Sequence, residues 1–244
     1  MPVLRLAPVR RNTIAGFSPS SPPAVNLTPF YQLAAIEFDA VHPHVIACWG
    51  EARDKLRSLS CRYALKSEHD LVAAARRPQL PEEGSIVEPS AGEDDVATVL
   101  FPLLTHLYLA GNSLSSITAT LTSHIPRCAY LNLSSNALTT VPSTLASLSE
   151  LSVVDLSANR IASISDAGDS LRNVSVLLLK NNALENLLGV ESLARLKCLD
   201  VSENKIWDVY EVGRLAVLMD VAEIWIADNP LTKLVRVGLY NVIA

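Results

Sequence analysis

The sequence predicts an α/β solenoid: a curved parallel β-sheet on the concave face, short helical or irregular segments on the convex face, and a helical cap at the N-terminal end. Three observations carry this expectation. Asn112, Asn136, Asn159, Asn182, Asn204 and Asn229 recur at intervals of 24, 23, 23, 22 and 25 residues. Each stands at the same place in one apolar frame, L-x-x-L-x-L-x-x-N-x-L, and a fixed period of this size marks stacked repeats. The chain is 49% hydrophobic but only 5% aromatic, which suits a core filled by Leu, Val and Ala.

The six copies read Leu104/Leu107/Leu109/Asn112/Leu114, Cys128/Leu131/Leu133/Asn136/Leu138 and Leu151/Val154/Leu156/Asn159/Ile161. They continue as Val174/Leu177/Leu179/Asn182/Leu184, Leu196/Leu199/Val201/Asn204/Ile206 and Val221/Ile224/Ile226/Asn229/Leu231. One repeat cannot bury its own apolar side, so the copies must stack into a common core. The x-L-x-L-x stretch alternates in and out, as a strand does. After the strand the chain turns sharply and leaves backbone groups without ladder partners. A buried carboxamide donates and accepts, so the asparagines are expected to be structural and not site residues. Frame and period resemble the leucine-rich repeat of the 22-residue class, so the fold expected is a leucine-rich-repeat solenoid.

About a dozen residues remain in each period for the return, enough for a short helix or 3₁₀ turn. A second apolar pair (Ile161/Ile164, Leu184/Leu187, Ile206/Val209) should continue the inward packing, with Leu145/Leu148, Leu171 and Leu193 facing the core from the convex side. Pro126 and Pro142 fall in the connectors, where no ladder bond is needed.

Outside the array, residues 1–30 are rich in Pro and Ser and read as a disordered tail. Within it, Ser18-Pro19, Ser21-Pro22 and Thr28-Pro29 suit either a plain linker or proline-directed phosphorylation. Residues 31–77 are expected to form the N-terminal helical cap and a degenerate first repeat. An amphipathic helix over 43–58 would carry Val45, Trp49, Ala52 and Leu56 on one face. Leu56/Leu59/Cys61 repeats the frame without its asparagine. Ser67 can cap a helix over 68–77, with Glu68 and Asp70 in its first turn and Pro78 ending it. Residues 78–98 hold six acidic and no basic side chains and read as a flexible acidic loop, or alternatively an acidic docking segment. Six repeats then fill 99–231, and 232–244 is expected to cap the far end.

Charge and cysteines bound the function. Net charge is −5, and no basic face suited to nucleic acid is present. No apolar run reaches the ~18 residues of a membrane span, and the N-terminus lacks a long apolar signal segment. Cys48, Cys61, Cys128 and Cys198 show no paired spacing. Cys128 and Cys198 sit about 14 Å apart across three strand spacings, beyond disulfide reach. Reduced thiols in a cytoplasmic protein are therefore expected. The five histidines are scattered, and His42-Pro-His44 lacks a partner at metal spacing. There is no nucleophile elbow, zinc motif or phosphate loop. The chain reads as a non-enzyme with no cofactor and no metal.

Function is expected on the concave face, where the third, fifth, seventh and eighth frame positions point outward. The third positions are His106, Tyr130, Val153, Val176, Cys198 and Glu223; the fifth are Tyr108, Asn132, Asp155, Leu178, Asp200 and Trp225. Lys180, Glu203 and Asp228 follow. Apolar Val153, Val176, Leu178 and Cys198 hold the centre, between Tyr108 and Tyr130 on one side and Trp225 on the other. Asp200, Glu203, Glu223 and Asp228 gather beside Trp225 and suggest a basic or amphipathic partner segment. Exposed aromatics around an apolar centre are the anchors of an interface. The competing reading is that the chain's own N-terminal tail covers the patch.

Two family resemblances refine this. Residues 104–231 resemble the repeats of protein phosphatase-1 regulatory subunits. The stretch from WGEARDKLRSLSCRYAL through EVGRLAVLMDVAEIWIADNPL resembles the N-terminal repeat region of nischarin-like, serine/threonine-kinase-interacting scaffold proteins. The acidic segment at 78–95 departs from that pattern. The second resemblance implies a cytoplasmic scaffold or signalling adaptor, associated with endosomes through its partners and engaging a kinase or small GTPase. The first implies a phosphatase regulatory subunit that holds the catalytic subunit. A cytoskeletal or spindle-pole subunit is the third reading.

Overall fold

The computed structural model describes residues 2–7, 25–49, 52–76 and 99–233. Among them nine parallel strands form one sheet. In chain order these are β1 (Val3–Leu6), β3 (Ala35–Asp39), β5 (Ser58–Arg62), β6 (His106–Tyr108), β7 (Tyr130–Asn132), β8 (Val153–Asp155), β9 (Val176–Leu178), β10 (Cys198–Asp200) and β11 (Glu223–Trp225). A separate pair, β2 (Val25–Asn26) and β4 (Ile46–Cys48), lies beside the first coils. The strands stack in frame register, with Leu107, Leu131, Val154, Leu177, Leu199 and Ile224 opposite one another. Leu107 through Leu199 of that row are at most 1% exposed. The convex returns are the helix Ala119–Ser123 and 3₁₀ segments at Ser143–Ser147, Val190–Ser192 and Val209–Val217. Leu145, Leu148, Leu171 and Leu193 are buried beneath them. Val209 differs from expectation, being 45% exposed at the start of its 3₁₀ segment.

Each asparagine ties its coil to the one before. The Asn182 amide nitrogen donates to Leu156 O (2.9 Å) and Leu179 O (3.0 Å), while its Oδ1 accepts from Ile161 N (3.0 Å). Asn159 also donates to Leu156 O (2.9 Å), and Asn204 also donates to Leu179 O (2.9 Å). One carbonyl per coil is thus held between two successive carboxamides, and the ladder runs unbroken from Asn136 to Asn229. The turn just before this frame position is left-handed in the eight coils of β3 and β5 to β11, six of which carry the asparagine next to it. Ala40, Tyr63, Ser135, Ala158, Asn181, Glu203 and Asp228 have φ between 51° and 57°, and Gly111 has 71°. That conformation costs a non-glycine residue about 1–2 kcal/mol, so in the coils that carry the asparagine the ladder holds a backbone that local preference opposes.

The N-terminal region departs from the sequence reading in three ways. Val3–Leu6 is a strand at the sheet edge where a disordered tail is expected, because Leu4 and Leu6 fall in register with Ile36 and Phe38. Ser18 and Ser21 lie outside the described residues. A whole repeat, Leu33/Ile36/Phe38, precedes Leu56/Leu59/Cys61, so the latter is not the first coil. The helix expected over 43–58 is instead a 3₁₀ turn (Pro43–Val45), strand β4 and a single helical turn, α1 (Ala52–Lys55). Ile46 and Cys48 alternate inward and pair with β2, which a helix would forbid. Trp49 still enters the core. Its ring meets Phe101 (5.7 Å, edge-on) and Phe38 (6.2 Å), and its Nε1 donates to Ala74 O (3.0 Å).

Helix α2 (Glu68–Ala75) starts at Ser67 as expected. Asp70 Oδ2 accepts from Lys66 N (2.8 Å) and Ser67 N (2.9 Å). Buried Glu68 reaches across to α3 (Ala119–Ser123), where both its oxygens accept from Thr118 N (2.7 and 2.9 Å). The acidic segment over 78–98 and all but the first two residues of the expected cap at 232–244 lie outside the described residues.

His124, at the end of α3, sets an acid limit on this region. It is 2% exposed and its Nε2 lies 3.1 Å from the Arg76 guanidinium. Burial, then the charges of Arg76 and Arg53, lower its pKa from the usual 6.5. The folded state keeps the ring neutral while the unfolded chain takes a proton first. Its contribution is complete above pH 6.5 and is lost as pH falls towards the lowered value. Urea titrations between pH 7.5 and 5 should show that slope in the wild type and a shallower one in His124→Gln; equal slopes would remove His124 as the cause.

Candidate functional site

The parallel register builds the outward face as two rows of side chains. His106, Tyr130, Val153, Val176, Cys198 and Glu223 stand opposite one another, as do Tyr108, Asn132, Asp155, Leu178, Asp200 and Trp225. Every candidate on the strands therefore comes to one face. The two strands that precede the regular array extend the second row to Ser60 and Glu37, and β1 adds Arg5, which pairs with Glu37 at 2.8 Å. Sequence reading reached the Ser60 coil through Leu56/Leu59/Cys61 but missed those of Glu37 and Arg5, which lack the asparagine. The spacing Leu33-x-x-Ile36-x-Phe38 was the signal available.

Three zones follow along the face. At β6 and β7, Tyr130 packs on Tyr108 (5.0 Å between rings) and stacks on His106 (5.7 Å, 22°). Partial burial, and next the neighbouring Tyr130, raise the Tyr108 pKa. The paired rings present apolar faces with a polar edge. At β8 to β10, Val153, Val176, Leu178 and Cys198 are half-buried, packed side by side with one flank to solvent. Partial burial, then the carboxylates of Glu223 and Asp200, push the Cys198 thiol up, so it is no nucleophile at neutral pH.

At β10 and β11, Trp225 is 46% exposed and Glu223, Glu203 and Asp228 are exposed. Lys180 reaches across the strands to Glu203 (3.0 Å). Its hydrogen bond and charge pairing with Glu203, then Asp200 and Asp228, raise the lysine pKa. The carboxylates thus outnumber the one ammonium they share.

The structure also gives two candidates local duties. Asp155 Oδ1 accepts from Ser157 N (2.9 Å) and its Oδ2 from the Asn132 amide (2.9 Å). Asp200 Oδ1 accepts from Ser202 N (2.9 Å). Both cap the turn after their own strand, which frame position alone does not reveal.

A second apolar surface was missed by the frame, because it lies on a convex return. Trp207, Tyr210, Val217 and Met219 are 63%, 84%, 57% and 91% exposed around the Val209–Val217 segment. Among the described residues no group of three or more His, Cys, Asp or Glu side chains is placed to hold a metal. His42 turns instead to Asp70 (3.4 Å). The four cysteines are free thiols, three of them buried. No described helix is long and apolar enough to cross a membrane.

The comparisons agree with this architecture. The family model described as leucine rich repeat matches residues 102–161. The chain is 26% identical over 218 residues to human serine/threonine-protein kinase 11-interacting protein, covering 89% of this chain and 18% of that protein. It is 34% identical over 115 residues to a leucine-rich repeat-containing protein of Schizosaccharomyces pombe, covering 46% and 18%. To the human PH domain leucine-rich repeat-containing protein phosphatase 1 it is 32% identical over 108 residues, covering 44% and 6%. The chain thus spans less than a fifth of the length of these relatives. Among solved structures, internalin C2 of Listeria monocytogenes superposes with a TM-score of 0.54 at 17% identity, covering 84% of this chain and 76% of that one. That likeness concerns the fold alone.

Proposed function

We propose, from the premise that this is a leucine-rich-repeat protein, that the chain is a non-catalytic scaffold or adaptor module of intracellular signalling that holds a protein partner on its concave strand face. The observation that carries the reading is the half-exposed Val153/Val176/Leu178 patch, flanked by the Tyr108–Tyr130 pair and by Trp225. A solvated sheet face would carry polar residues there. Apolar centres rimmed by aromatics and charge are where interfaces concentrate their binding energy. The long match to a kinase-interacting protein supports a kinase as the partner class. Four free thiols support a cytoplasmic setting, reached at endosomes only through partners.

A second reading, a module serving a protein phosphatase, is supported by the 32% identity to a leucine-rich-repeat phosphatase over 108 residues. It covers half as much of the chain as the first.

Leu178→Glu with Trp225→Glu tests the surface. Both side chains point to solvent on one flank, so the melting temperature should hold within about 2 °C. Capture of the partner, read by affinity purification and mass spectrometry, should fall at least about tenfold. Undiminished capture would move the site off this face. A phosphatase catalytic subunit as the main prey would select the second reading.

A further inference from the structure

We infer that the occupant of the strand face is a single amphipathic α-helix lying across the strands, with its basic end over β10 and β11. This rests on the strand face being the binding surface, and it adds the shape and charge polarity of what binds.

The backbone argues for a helix. Strands β6 to β10 each pair with a neighbour on both sides, so this part of the face offers side chains and no free ladder groups. An extended segment laid across it would press its own unpaired amides onto Val153, Val176 and Leu178. Burying an amide without a partner is costly. A helix arrives with its interior amides already paired.

Dimensions agree. Each of these strands is three residues long, about 10 Å at strand rise. That width matches a helix with side chains, ~10–12 Å across.

Charge sets the direction. Glu203, Glu223 and Asp228 are exposed at the β10–β11 end, with Asp200 beside them and Lys180 joined to Glu203. At the opposite end β6 and β7 present the packed aromatic rings of Tyr108 and Tyr130 and no carboxylate. Val153, Val176 and Cys198 span two strand spacings, about 10 Å, which a helix covers in ~7 residues. Trp225 and the carboxylates begin about 10 Å beyond Val176. The ligand chemistry is therefore an apolar stripe of two turns, followed one to two turns later on the same face by Lys or Arg. Those cations meet the carboxylates, and a stem or guanidinium can lie on the Trp225 ring.

The test titrates three synthetic Ala-based peptides of about 20 residues against the intact chain by fluorescence anisotropy. All carry the same two-turn Leu stripe. The first has Lys beyond the stripe, the second Glu there, and the third keeps Lys but has Pro within the stripe to break the helix. The Lys peptide should bind at least about tenfold tighter than either other. Its advantage over the Glu peptide should shrink several-fold at high salt and in Glu223→Gln/Asp228→Asn.

Equal binding of the Lys and Glu peptides, equal binding of the Pro peptide, or no binding of the Lys peptide would overturn the inference. If such peptides bind without preference yet are released by Leu178→Glu, the strand-face reading stands and only the helix and its polarity fail. Binding that Leu178→Glu leaves intact would overturn both.

Discussion

Asn182→Ala is expected to lower the stability of the solenoid by about 3–5 kcal/mol, although the residue touches no partner and carries no charge. The side chain is 9% exposed and sits between Leu156, Ile161 and Leu179, each fully buried. Its loss leaves Ile161 N without the 3.0 Å bond to Oδ1, and each of the two carbonyls it serves with one carboxamide instead of two. A buried amide left unpaired costs about 1–3 kcal/mol, and each lost hydrogen bond about 1 more. The left-handed turn at Asn181 loses its support as well. Asn182→Asp separates shape from hydrogen bonding. It fills the same space but cannot donate, and it sets a carboxylate against two carbonyl oxygens, so it should lose as much. Urea unfolding would show the midpoint falling, and thermal melts a drop of about 10 °C. A loss below about 1 kcal/mol for both variants would mean that the ladder is not what closes the coils.

Gly189→Ala is expected to cost about 3 kcal/mol or more, a large effect for one methyl group. Gly189 has φ +98°, in the range that side chains rarely adopt. A Cβ there would run into the backbone of the preceding coil, at the Ile164 carbonyl and 2.7 Å from Ser165 Cα. Backbone cannot swing aside as a side chain can, so relief requires the 3₁₀ turn Val190–Ser192 to lift from the coil beneath it. Gly213→Ala is the control. No atom lies within 4 Å of its would-be Cβ, and the change should stay within about 0.5 kcal/mol of neutral. If the two substitutions cost the same, the close approach at Gly189 is not the constraint on the convex side.

The contrast between these positions shows what could be read in advance. The asparagines announced themselves, because a carboxamide recurs at one frame position in six successive coils and pairs the turn there. Gly189 did not, since its need comes from how near one coil's return lies to another. The left-handed residues were equally silent. Ala40, Ala158 and Glu203 are ordinary helix formers by local preference, and the bonds around them hold the turn. The N-terminal coils were only partly legible for a related reason: Leu56/Leu59/Cys61 read as a degenerate repeat, and Leu33/Ile36/Phe38 went unread. Phe38 and Cys61 stand where leucine is expected, and Val41 and Ala64 where asparagine is, so burial by neighbours had to do what the motif did elsewhere.

The candidate site was legible to the extent that it depends on register. Strand alternation has a period of two, so once the asparagines fix one position, the direction of every neighbour follows. This is why Tyr130, Val176, Leu178 and Trp225 could be placed on one face from the sequence by itself. Each coil packs only on the coils beside it, which makes the fold nearly one-dimensional and the sequence nearly sufficient.

What only the tertiary structure decided are the contacts between distant segments. Val3–Leu6 joins the sheet, a strand interrupts the helix expected over 43–58, and Glu68 caps a helix 50 residues away. Asp155 and Asp200 are drawn into their own turns, and Lys180 is spent on Glu203. Periodicity reports which way a side chain points. It does not report which group is waiting for it there, because that partner is set by packing between residues far apart in the chain.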